Sequence, residues 1–273
     1  TPPPADIIKD CFYGRDKVQR SLLEVYAEHN EKCRALIGKE YTESTITKFD
    51  TSINRLKEYI RSCYHRDDIM LAELDGQFIR DFDFWLKTKK HCQNNSALKH
   101  LKNLKKVVRI ALANDWIKKD PFYGIHFKQE EVNVEFLSRE ELDILMNKKF
   151  TIKRLEQVRD IFVFCCFTAL AFVDVQQLSR EHLIKDNNGA LWIRKARQKT
   201  NQMCNIPVLS IPQRILRKYE DNAECIKKGV LLPVISNQRM NAYLKEIADL
   251  CGITKRLTTH VARHTAATVV FLA

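Results

Sequence analysis

The chain has 273 residues, a hydrophobic share of 45%, a charged share of 29% and a formal net charge of +12, with a sequence pI near 9.2. That length is enough for one large domain or two ordinary ones, and the basic excess favours an anionic partner, nucleic acid before an acidic membrane. No apolar run reaches the roughly 20 residues that span a bilayer, the opening TPPPADIIKD has no signal-peptide pattern, and nine cysteines without a C-x-x-C pair argue for a reduced, intracellular protein rather than a disulfide framework or a cysteine zinc site.

Residues 1–15 are Pro-rich and then mixed, and read as an arm or linker. DKVQRSLLEVYAEHNEKCRALIG predicts a helix with Leu22, Val25 and Tyr26 on one side. Ile46, Phe49, Ile53, Leu56 and Ile60 then recur every three or four residues, the period of an amphipathic helix, with Thr42 or Ser44 as its expected cap. LDGQFIRDFDFWLKTKK predicts a shorter, aromatic-rich helix, and NNS at 94–96 a break and the N-cap of the next one. In that next helix Leu101, Leu104, Val108, Ala111 and Leu112 share one arc, while Lys99, Lys102, Lys106 and Arg109 share a neighbouring arc. The stripe carries one sign, without a Glu at four-residue spacing to balance it. It reads either as a solvated face or as a phosphate-contacting one, and Lys48 and Arg55 on the earlier helix join it as candidate DNA contacts. Asp120-Pro121 ends the helical region. Residues 16–127 thus form a small all-α unit, residues 128–134 a linker, and residues 135–273 a second unit.

The second unit opens on LSREELDILMNKKF, where Ser138 is an expected N-cap and Glu141 completes a capping box. TIKRLEQVRDIFVFCCFTALAFVDVQQLS predicts mostly buried helix, with Cys165 and Cys166 as small hydrophobes. The period then changes. DNNGALWIRKARQKTNQMCNIPVL begins with an Asn-Gly turn and alternates like a sheet, which predicts strands near 190–197 and 203–208 joined by a turn at 199–202. PQRILRKYED and NQRMNAYLKEIADLCG return to helix, the second ended by Gly252.

The last stretch, LTTHVARHTAATVVFLA, carries the chemistry. Thr258 and Thr259 are good cap residues, and His260 and Arg263 lie three apart, so an imidazole and a guanidinium share one helix face near its positive end. Alone, such a pair is more often a surface His and Arg. His260 and His264 have the spacing of a zinc pair, but position 261 holds Val where the metalloprotease pattern needs Glu, so no metal is expected. Lys199 sits at the expected hairpin tip, and Arg197, two positions earlier, would share its strand face.

FTALAFVDVQQLS, then a hairpin with RQKT before IPVL, then THVARHT, occur in that order. In this order the segments resemble the catalytic domain of the tyrosine recombinase (phage integrase) family, of the conjugative-transposon and mobile-element type, and the preceding helical unit resembles that family's core-binding domain. The resemblance covers roughly residues 15–273. It implies a mainly α fold with a small antiparallel sheet, in two domains clamping duplex DNA. It also implies strand cleavage through a 3′-phosphotyrosine, without metal or nucleotide cofactor. By the same resemblance Lys199 is the general acid, His260 and Arg263 hold the scissile phosphate, and Asp174 supports the site. The implied partners are double-stranded DNA at attachment sites, a homotetramer in the synaptic complex, a DNA-bending host factor and a directionality factor, with no membrane. The implied location is the cytoplasm, at the nucleoid.

Two departures stand out. Where the family carries Thr-Gly-Leu-Arg, this chain has Thr168-Ala169-Leu170-Ala171, so Ala171 replaces a catalytic Arg, and Arg197 is the candidate substitute. No Tyr follows Arg263, the last being Tyr243. The chain therefore reads as ending before the nucleophile, and as binding DNA without cutting it. Two alternatives stay open: a catalytically impaired, DNA-binding accessory relative, and a helical module whose basic stripe binds an acidic protein.

Overall fold

The computed structural model describes residues 19–271, so the arm expected at 1–15 lies outside the described residues. The chain divides into two compact units between Glu131 and Val132.

The first unit packs four helices: α1 (Leu22–Arg34), α2 (Glu43–Tyr64), α3 (Gly76–Thr88) and α4 (Asn94–Ala113). Each presents one apolar face to a shared core that includes Leu22, Tyr26, Leu56, Ile60, Phe82, Leu101 and Val108. That leaves the polar arcs outside, as the helical period requires. Asp75 caps α3 by accepting the Phe78 N–H at 2.7 Å. Two expected caps turn out otherwise. Thr42 stands at the N-cap of α2, but its hydroxyl bonds the Ser44 and Thr45 hydroxyls at 3.1 and 3.0 Å rather than a backbone N–H. α4 already begins at Asn94, because the Asn94 and Asn95 amides donate to the Lys128 and Glu130 carbonyls at 2.9 and 2.8 Å and so serve the outgoing segment instead of the helix end.

The second unit is built around α6 (Lys153–Thr168), which is buried on nearly every side from Val158 onward. Such a helix needs neighbours all round. They are α5 (Arg139–Asn147), α8 (Ser210–Lys218), α10 (Asn237–Cys251) and α11 (Thr259–Thr265), followed by a π-helical turn, Ala266–Val270. Burial pushes the Cys165 thiol up to about 12. Ser138 caps α5 from its hydroxyl at 3.2 Å while Glu141 accepts the Ser138 N–H at 2.7 Å, the reciprocal capping box. Between α6 and α8 lie the short α7 (Phe172–Gln176) and an antiparallel sheet in the order β1 (Leu183–Lys185), β2 (Leu191–Ala196), β3 (Met203–Pro207). The register pairs Ile193 with Ile206 and Lys195 with Cys204. The first strand has no counterpart among the expected elements, since three residues are too few for a period-two pattern to register. The small helix α9 (Ala223–Lys228) follows α8, and Gly252, in the left-handed region at φ 68°, closes α10.

One buried charge ties α6 to α8. The Asp160 carboxylate accepts from Arg159 Nε at 2.7 Å, Lys218 Nζ at 2.7 Å and the Tyr219 hydroxyl at 2.9 Å. Burial and then this carboxylate push the Tyr219 phenol well above its ordinary value. Removing one member of such a network leaves buried groups unpaired. Asp160→Ala is expected to lower the stability of the second unit by about 3 kcal/mol, read as a denaturant or thermal midpoint, while a melting transition of the first unit stays in place.

Candidate functional site

α11 carries the His260 and Arg263 pair. Thr258 caps it by accepting the Val261 N–H at 3.3 Å, and α10 fixes its entry: Asn241 Oδ1 accepts the Thr259 N–H and Asn237 Oδ1 the Thr259 hydroxyl, both at 3.2 Å. The neighbouring Tyr243 is half-buried against the core with the Arg154 guanidinium 5.3 Å from its ring, the packed aromatic its pattern suggests. His260 is exposed, and its ring lies 4.4 Å from that of His264, nearly perpendicular at 88°. Burial first, and then His260, hold the His264 imidazole below its ordinary value. His264 is thus a ring partner of His260, a role the motif order alone does not assign. The four-residue spacing is the signal that marks it.

Arg263 is half-buried and lines a cavity of about 300 Å³. Arg197 lines the same cavity, beside Thr168, Ala169, Leu170 and Cys204. Ala171, the N-cap of α7, directly follows Leu170 in the chain. Two guanidinium-bearing residues from distant parts of the sequence therefore share one small cavity next to the position where an arginine was expected and Ala stands. Asp174 holds the turn that follows Arg197. The residue is 2% exposed, and its carboxylate accepts the Gln198 N–H at 3.0 Å and so pins the hairpin turn to α7.

The turn itself corrects one expectation. β2 stops at Ala196, so Arg197 and Lys199 do not alternate along a strand. The ladder gives way to a turn in which Arg197 N–H donates to the Gln202 carbonyl at 2.9 Å and Asn201 N–H to the Arg197 carbonyl at 2.8 Å, with Asn201 at φ 51°. Without strand geometry the shared-face rule lapses. Arg197 is half-buried and faces the cavity, and Lys199 is exposed in the turn. Among the described residues, no carboxylate forms an ion pair with Arg197, Lys199, His260 or Arg263, whereas many other basic side chains are paired.

In the first unit Lys99, Lys102, Lys106 and Arg109 are exposed along α4, Lys48 is exposed on α2, and Arg55 is half-buried there. Arg55 bonds Glu58 at 3.0 Å, Lys102 reaches Gln129 at 3.3 Å, and the Lys106 ammonium lies 4.4 Å from the Phe49 ring centre. His100 links the two helices, with its Nδ1 2.9 Å from the Ser52 hydroxyl. Burial and then Arg55 and Lys99 hold its imidazole below its ordinary value, so cations of both helices lie close to one ring.

Residues 21–132 match the model of the phage integrase SAM-like domain. No curated protein sequence matches the chain. Among solved structures, the chain is similar to a lambda integrase (75–356) dimer bound to a COC′ core site, at TM-score 0.71 and 13% identity over 91% of this chain and 86% of that one. It is similar to a Tn1549 transposon integrase fragment in complex with circular-intermediate DNA, at TM-score 0.69 and 14% identity over 91% and 86%. It is also similar to the XerH site-specific recombinase bound to difH substrate, at TM-score 0.64 and 15% identity over 83% and 68%. The mainly α fold with a small antiparallel sheet is that of the integrases.

The Asp174 bond can be tested directly. Asp174→Ala is expected to speed amide exchange at residues 197–202 by about fivefold, the equivalent of one ordinary hydrogen bond, with Asp174→Asn close to the parent because its carbonyl oxygen still accepts.

Proposed function

We propose that this chain, which has a phage integrase SAM-like domain and the tyrosine recombinase fold, binds duplex DNA at a recombination site and holds a scissile phosphate for cutting and rejoining through a 3′-phosphotyrosine. The observation that carries the proposal is the one cavity lined by both Arg197 and Arg263, neither of which forms an ion pair with a carboxylate among the described residues. Phosphoryl transfer passes through a phosphorane with added negative charge, and preorganised cations stabilise it far more than they do the ground state.

In this reading, a tyrosine hydroxyl attacks phosphorus, its oxygen forms the new bond, and the bond to the 5′-oxygen breaks. Arg263 clamps non-bridging oxygens through its planar fork. Arg197 takes the charge-stabilising role that Ala171 cannot fill. His260 hydrogen-bonds the phosphate or takes the proton that the tyrosine hydroxyl gives up, and Lys199, on the exposed turn, donates a proton to the leaving 5′-oxygen. Asp174 supports the turn. No tyrosine follows Arg263 within residues 1–273, so the proposal assigns these residues DNA binding and phosphate holding and names no nucleophile among them. The stripe of Lys99, Lys102, Lys106 and Arg109, with Lys48 and Arg55, would neutralise backbone phosphates. The DNA-bound dimers and tetramers among the similar structures support a multimeric assembly on DNA. Host bending and directionality factors and a nucleoid location stay part of the proposal. Among the described residues no helix is long and apolar enough to cross a membrane.

A second reading has one observation in its favour, Ala171. A relative that has lost a catalytic cation would bind its site without reacting. The deciding experiment incubates the gene's complete product with a nicked attachment-site duplex and looks for a protein–DNA band that survives SDS. The recombinase reading predicts a band that is lost on replacing the attacking tyrosine and on Arg263→Ala. Site-specific binding without any band would establish the accessory relative instead. For the stripe, Lys102→Ala, Lys106→Ala and Arg109→Ala combined should flatten the salt dependence of DNA affinity by about 0.9 in log–log slope for each phosphate no longer neutralised. An unchanged slope would remove the stripe from the interface.

A further inference from the structure

Thr265 is fully buried, and its hydroxyl is used twice. It donates to the Val261 carbonyl one turn back at 3.0 Å, and it accepts the Leu137 N–H at 2.9 Å, across 128 positions of sequence. Leu137 is itself wholly buried. The bond to Val261 is the ordinary local bond of a helical Thr. The bond to Leu137 is not local, and it falls two residues after Arg263.

It is one of several bonds joining the same two regions. Lys255 Nζ donates to the Phe136 carbonyl at 2.9 Å and to Glu141 Oε2 at 2.6 Å. The Arg256 N–H donates to Glu135 Oε2 at 3.2 Å. Residues 135–137, the segment that enters the second unit ahead of α5, are thus stitched to residues 255–265, which lead into and form α11.

The position of the stitching gives it a consequence. Immediately after Thr265 the α-helical ladder gives way to a π-helical turn, closed by the Phe271 N–H on the Ala266 carbonyl at 3.0 Å. An α-to-π junction has two nearby registers, and a slip of one residue turns a helix face by about 100°. A residue anchored from outside the helix at that junction fixes which way the preceding turn faces, and that turn carries His260 and Arg263.

We propose that residues 135–137 act as a strap on α11, and that Thr265 and Lys255 are positioning residues for phosphate binding by His260 and Arg263. The proposal rests on the phosphate reading of that pair. Neither side chain touches the phosphate; each acts by holding the helix that does. Because the strap is the chain that arrives from the first unit, a load on that chain reaches the phosphate site without passing through the sheet or the hairpin.

The experiment titrates inorganic phosphate into the protein and follows the His260 and His264 ring resonances, alongside a thermal melt of each variant. Thr265→Val keeps the shape and removes the acceptor for Leu137. Thr265→Ser keeps the hydroxyl. Lys255→Met keeps the apolar stem and removes the ammonium, and it serves as the second arm if Thr265→Val does not fold. The expected result is phosphate affinity about fivefold weaker in Thr265→Val and in Lys255→Met, the scale of one hydrogen bond, with Thr265→Ser at the parent value. Parent-like affinity in both weakened variants, with only the melting temperature lowered, would make these bonds structural and overturn the strap. If the parent's His260 ring does not respond to phosphate at all, the phosphate reading of α11 fails first and the strap falls with it.

Discussion

α6 has almost no solvent face, and the architecture of the second unit follows from that. Asp160 through Thr168 are all buried, so α5, α8, α10, α11 and the π turn are needed to cover it. Close packing of this kind leaves few ways to place the covering helices. It sets α11, with His260 and Arg263, against one flank of α6. The C-terminal end of α6, Thr168 and the two residues after it, forms a wall of the cavity that Arg263 lines.

Two buried carboxylates complete what the apolar packing leaves open, one on α6 and one just beyond it. Asp160 draws Lys218 and Tyr219 of the α8 region onto α6, and Asp174 draws the hairpin turn onto α7. They act differently. Asp160 is neutralised by a lysine and an arginine, so its network is closed. Among the described residues, Asp174 accepts from one backbone N–H and forms no ion pair. The turn is therefore fixed while, among the described residues, no carboxylate pairs with Arg197 or Lys199. Uncompensated cations clustered at one place are unfavourable to the isolated protein and favourable to an anionic ligand.

The helices and most of their faces are legible in the sequence because 3.6-residue periodicity survives over ten or more residues. Leu22, Val25, Tyr26 and the Ile46-to-Ile60 series are buried as their spacing requires, and the Ser138–Glu141 box and the Gly252 stop stand where the local chemistry puts them. Short elements are harder. β1 has three residues and α9 six, too few for a period to emerge. Caps depart from expectation where side chains have another use, as Asn94 and Asn95 do in holding the outgoing segment. The candidate site is half legible. His260, Arg263, Lys199 and Asp174 follow from motif order, and the cavity shared by Arg197 and Arg263 depends on a turn whose geometry no strand rule describes. The bond between Thr265 and Leu137 joins residues 128 apart and leaves no mark in either local sequence.

The proposed role of Arg197 is to supply the charge that Ala171 lacks. It is tested most directly by the rate at which the gene's complete product forms its covalent complex with site DNA, compared among the parent, Arg197→Ala, and Arg197→Ala combined with Ala171→Arg. The rate is expected to fall about a hundredfold or more in Arg197→Ala, the scale of losing one group that stabilises transition-state charge, and to recover substantially when an arginine is restored at 171. Equal rates for Arg197→Ala and the parent would contradict it.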